Sequence, residues 1–143
     1  MKKVYSFLFV VYMSIGLIAC NKDTASNQAD VLNSLLSNKN WYLDYTISGA
    51  MTSTVPVIKS YVGQSTYFVT YLKDGTTTDS DGLTGTYTVE IVNNQSQIHV
   101  QLKTSNGNPL EVIYDIISVG EAKLVLSKVI TSGNPTKLYF SSK

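Results

Sequence analysis

His99 is the only histidine and Cys20 the only cysteine in this chain, so the residues that most often act as general base or covalent nucleophile are each present once. In QIHVQLK, strand alternation sets His99 on the face opposite Ile98, Val100 and Leu102, which makes it a solvated outer residue rather than a base. No G-x-S-x-G elbow is present, and Asp44, Glu90, Glu111 and Asp115 fall on polar strand faces where hydrated charge is the ordinary state. Asp79-Ser80-Asp81-Gly82 has the look of a calcium loop. Threonines, Thr77 and Thr88, stand where such a loop needs its first aspartate and its final bidentate glutamate. The expectation is a protein with no catalytic residues, no metal site and no cofactor, hence a binding protein and not an enzyme.

Cys20 then needs another explanation, and its surroundings supply one. Lys2 and Lys3 precede VYSFLFVVYMSIGLIA, an uncharged and mostly apolar run with the n-region and h-region order of an export signal. The run is short for a membrane span, which takes about twenty apolar residues. It ends in Leu17-Ile18-Ala19-Cys20, which resembles the bacterial lipobox. That resemblance implies a diacylglyceryl thioether on Cys20, cleavage just before it and acylation of the new amino terminus. Stable anchoring takes about two acyl chains, each buried methylene adding about 0.8 kcal/mol, so such a group holds a protein on a bilayer without any spanning helix. Residues 1–19 are therefore expected to be a lipoprotein signal peptide, and 20–29 the lipidated cysteine with a flexible polar tether. Asn21 is not the aspartate that retains many lipoproteins in the inner membrane of enteric bacteria, which places the expected anchor in the outer membrane, facing the periplasm or the cell surface.

The remaining residues, 30–143, suffice for a single core. All eleven basic residues are lysine and the formal charge of the whole chain is +1. That balance offers no footprint for nucleic acid, and the lack of arginine removes the usual bidentate clamp for carboxylates and phosphates. The expected partners are the membrane, through lipid on Cys20, and either a small hydrophobic ligand or another envelope protein.

The elements that must carry such a function are mostly strands. ADVLNSLLSNKN is the one helical candidate: Val31, Leu32, Leu35 and Leu36 form a stripe, with Asp30 available as N-cap. From Trp41 the period becomes two. In NWYLDYTI, Trp41, Leu43, Tyr45 and Ile47 are expected on one face. VPVIKSYV, interrupted by Pro56, reads as an edge strand. STYFVTYL leads into an Asp74-Gly75 hairpin, and TTTDSDGLTG reads as a turn-rich region. GTYTVEIV, QIHVQL, LEVIYDII, AKLVLSKVI and TKLYFSS follow, separated by short turns. About eight strands so connected predict an all-β domain, an antiparallel up-and-down barrel or a sandwich, with a short N-terminal helix.

The order of features over Leu35 to Phe140 resembles the lipocalin-like domains of small Bacteroidota lipoproteins. It includes a short leucine-rich helix, NKNWYL, FVTYLKDGT, GTYTV, YDIISVGEAKLVLSK and a final TKLYF strand. The resemblance implies a lipid-anchored, eight-stranded lipocalin-like barrel. Lipocalins proper carry Gly-x-Trp in the first strand, where this chain has Lys39, and an arginine in the last strand that covers the tryptophan, a place open here to Lys128 or Lys137. Eight of the ten tyrosines lie beyond residue 19. An aromatic ring with a hydroxyl tip suits a barrel mouth, and the residues expected to line a ligand site are Tyr45, Phe68 and Tyr87.

Overall fold

Runs of Val, Ile, Thr and Tyr with period-two alternation cannot bury an apolar face alone, so they pair until the sheet has no open edge. In a computed structural model, which describes residues 20–49, 55–63, 66–104, 106–129 and 135–143, all of the strands but one do so. Residues 1–19, the expected signal peptide, lie outside the described residues, as does the side chain of Cys20. The order is α1 (Cys20–Leu36), β1 (Lys39–Ser48), β2 (Val57–Ser60), β3 (Phe68–Tyr71), β4 (Thr76–Asp79), β5 (Thr84–Val92), β6 (Gln95–Lys103), β7 (Pro109–Val119), β8 (Lys123–Lys128) and β9 (Thr136–Ser142). Every pairing is antiparallel. β1 pairs β3 through its first half and β9 along its other edge, so that eight strands close into an up-and-down barrel. β2 lies outside the ring, added to the second half of β1.

Two features differ from the sequence expectation. Thr76–Asp79, expected as part of a turn-rich region, is a barrel strand, and only the residues up to Leu83 turn. Its three consecutive threonines are β-branched and follow directly on the Asp74-Gly75 turn, where Gly75 has φ 84° and the Asp74 carboxylate accepts from the N–H of Thr76 at 2.9 Å. The helix, expected to begin at Asp30, begins at Cys20 and takes in the segment expected as a tether. Asp30 is thus inside it and caps nothing. Once the turn bearing Leu32 and Leu36 is packed on the barrel, each further residue adds a backbone hydrogen bond without a new nucleation cost, so even poor helix formers extend it.

α1 closes one end of the barrel. It stops where Asn38 takes a left-handed φ of 62°, its N–H donating to Tyr71 O at 2.7 Å. Trp41 is fully buried beneath, and its indole Nε1–H donates to Leu36 O at 2.9 Å, satisfying one of the carbonyls left open at a helix C-terminus. Tyr87 makes the second tie, its hydroxyl 2.6 Å from Asn33 Oδ1 and 2.9 Å from Leu72 O. Leu36, Ile98 and Leu124, all at 0% exposure, complete the plug. The cation over Trp41 is neither Lys128 nor Lys137: Lys39 Nζ stands 5.1 Å from the indole centroid and donates to Glu121 O at 3.0 Å. Lys39, two residues before Trp41 on the same strand, therefore supplies the cover. Gly85 allows β5 to run close to β6, since a Cβ there would collide with the Gln101 carbonyl and come within 2.9 Å of Leu102 Cα.

Candidate functional site: the open end of the barrel

Among the described residues the opposite end carries no helix. There β4 turns into β5 through Ser80–Gly82, β6 into β7 through 104–108, and β1 and β2 run past the rim. Side chains that alternate inward should meet across the barrel axis, and at the closed end they do. Toward the open end they do not fill the space. A cavity of about 280 Å³ remains, walled by Leu43, Val69, Val100, Leu102, Leu126, Leu138 and Phe140, with Tyr71, Thr77 and Tyr114 between them and Tyr67, Asp79, Ser80 and Asp81 at the rim.

The three residues expected at a ligand site fall in three different places. Tyr87 shares the inner face with core residues, as alternation requires, but it is 4% exposed and belongs to the plug under α1, not to the cavity wall. Phe68 borders the cavity, while its ring packs 5.7 Å from that of Tyr42 on the outer face. Tyr45 is outside. The register between β1 and β9 slips between Leu43 and Tyr45, a bulge that leaves Asp44 as the extra residue. Beyond it Thr46, not Tyr45, faces the inward Leu138, and the Tyr45 ring stacks on that of Tyr139 at 4.3 Å. The expectation that Trp41, Leu43, Tyr45 and Ile47 share a face is therefore corrected at its midpoint. Asp44 explains the slip: its carboxylate accepts from Ser141 Oγ at 2.8 Å and pairs with Lys123 Nζ at 3.3 Å, contacts that hold it outward.

Tyr71 and Tyr114 are the wall residues that the sequence reading missed. Both obey simple alternation, Tyr71 with Val69 and Tyr114 with Val112 and Ile116, so the signal was present in FVTY and VIYDII. Burial first, then the neighbouring Tyr114 and Tyr87 hydroxyls, push the Tyr71 hydroxyl well above its ordinary range, and burial raises Tyr114 in the same direction. Both rings are therefore neutral donors at physiological pH. At the rim, Asp79 Oδ1 accepts from the N–H groups of Asp81 at 3.0 Å and Leu83 at 2.9 Å, so this carboxylate organises the turn. His99 is on the outer face, with Nε2 3.3 Å from Gln97 Oε1 and 4.0 Å from Glu90 Oε2.

No family model, curated protein or solved structure matches this chain. The closed eight-stranded antiparallel barrel with its short helix is consistent with a lipocalin-like barrel, and the chemistry of the open end has to be read from its own residues.

The outer surface carries a second feature. All four residues of β2 are exposed, Ile58 at 63%, and Val55, Val62 and Tyr67 add apolar area beside it. The edge of β2 away from β1 has no strand paired to it among the described residues. No helix among the described residues is long and apolar enough to cross a membrane.

Proposed function

We propose that this protein is a lipid-anchored binding protein of the cell envelope that holds a small hydrophobic ligand in the open end of its barrel. The cavity carries this reading. Small-molecule sites are concave, mostly apolar and already formed in the free protein, with a few polar groups that fix orientation. A space of about 280 Å³ walled by leucine, valine and aromatic rings, with tyrosine hydroxyls among them, has that composition. The anchoring half of the proposal draws on Leu17-Ile18-Ala19-Cys20 at the end of an apolar run, and puts the barrel at the outer membrane, on its periplasmic face or at the cell surface.

A hydrophobic naphthalene-sulfonate fluorophore added to the domain from residue 20 onward should brighten with saturable, one-to-one binding. Val100→Phe, which adds ring volume to the cavity wall, should reduce that binding at least tenfold while the protein stays folded. If the variant binds as wild type does, the fluorophore sits elsewhere and the cavity is not the site.

A second reading draws on β2, whose exposed apolar residues and free edge suit strand addition by another envelope protein. Under that reading Val100→Phe leaves the association unchanged and Ile58→Lys abolishes it.

A further inference from the structure

Tyr71 is 2% exposed, and its hydroxyl has no hydrogen-bond partner among the described residues. No fully enclosed side-chain oxygen or nitrogen among those residues lacks a partner. Tyr71 and Tyr114 both line the cavity, so the Tyr71 hydroxyl is read as opening onto that space. A tyrosine hydroxyl that faces an apolar space can donate to, or accept from, a group brought in by a guest.

The remaining chemistry of the wall restricts what that guest carries. The charged residues that line the cavity are Asp79 and Asp81, both at the rim, and among the described residues no cationic side chain lines it. Lys128 follows Leu126 on the same side of β8 but is exposed and is not part of the wall. A carboxylate carried inward would be buried without a cation, and one left at the rim would face two aspartates. Size sets the other bound. An apolar cavity of about 150 Å³ accommodates benzene, so 280 Å³ corresponds to about two such rings.

Resting on the ligand-binding reading above, we infer that the guest is an uncharged molecule of about two rings' volume, bearing a single hydrogen-bonding oxygen that enters first and bonds to the Tyr71 hydroxyl, with carboxylates excluded. A small phenol, alcohol or ketone has this chemistry; a fatty acid does not.

The test is a matched series titrated into the wild-type domain by calorimetry at neutral pH: naphthalene, 2-naphthol and 2-naphthoate. The expected order is 2-naphthol tightest, naphthalene at least fivefold weaker and 2-naphthoate at least tenfold weaker than 2-naphthol. Tyr71→Phe, which keeps the ring and its T-shaped contact with Tyr87 at 4.8 Å, should remove the preference for 2-naphthol over naphthalene while leaving naphthalene unchanged. Equal affinities across the wild-type series, or a preference that survives in Tyr71→Phe, would overturn this inference and leave the cavity as a plain apolar site. Failure of all three to bind would overturn it together with the ligand-binding reading. The wild-type series stands even if the variant does not fold.

Discussion

Trp41→Ala should lower the unfolding free energy by about 3–5 kcal/mol, the usual cost of removing a large buried aromatic. Three effects act in the same direction. The indole is fully buried, so its truncation opens a void at the closed end, where Leu36, Ile98 and Leu124 are also fully buried and the barrel has no slack to collapse into. The Leu36 carbonyl loses the Nε1–H donor 2.9 Å away and is left buried at a helix terminus. The ammonium of Lys39 loses the ring it covers. A domain of this size is stabilised by about 5–15 kcal/mol in total, so the loss is a large fraction. Urea unfolding followed by tyrosine fluorescence measures it: the midpoint should fall with little change in slope. An unchanged midpoint would mean that the tryptophan does not hold the helix to the barrel.

Cys20→Ser should abolish acylation of the protein. Under the proposed anchoring, the acyl chains are carried on the sulfur, and serine offers no thiol for thioether formation. In the native host the variant should accumulate as an unprocessed precursor of higher mass, and radiolabelled palmitate should not be incorporated. Processing to the same length as wild type, with detergent partition unchanged, would remove the lipoprotein reading. The barrel would be untouched by that result.

What could be read from the chain before its fold was known follows one rule, alternation, and fails where alternation is broken by a local interaction. The strands from Thr84 onward, the Asp74-Gly75 hairpin and the outward His99 were all legible, because period two with clear turn residues leaves little choice of face. β1 was legible only as far as Leu43. A bulge is decided by what the extra residue can bind across the sheet, and Ser141 and Lys123, the partners of Asp44, lie 97 and 79 residues further along the chain. That single slip moved Tyr45 from the expected ligand wall to the outer surface. Thr76–Asp79 was hidden for a different reason: threonine next to Asp and Gly suits turns and strands alike, and only pairing with Val69–Tyr71 and Thr84–Thr86 decides between them. The extent of α1 was illegible because its polar first half has no helical preference strong enough to announce itself. The open cavity could not be read at all, since whether inward side chains meet across a barrel depends on strand tilt and stagger.

The central claim is that a small apolar molecule enters the open end of this barrel, and methyl-labelled NMR on the domain from residue 20 onward tests it residue by residue. On titration with naphthalene, the methyl groups of Leu43, Leu102, Leu126 and Leu138, which wall the cavity, should shift progressively to saturation. Those of Leu36 and Leu124 in the plug, and of Ile58 on the outer edge, should stay in place. Shifts confined to Ile58 and its exposed neighbours, or none among the four wall leucines, would contradict the account.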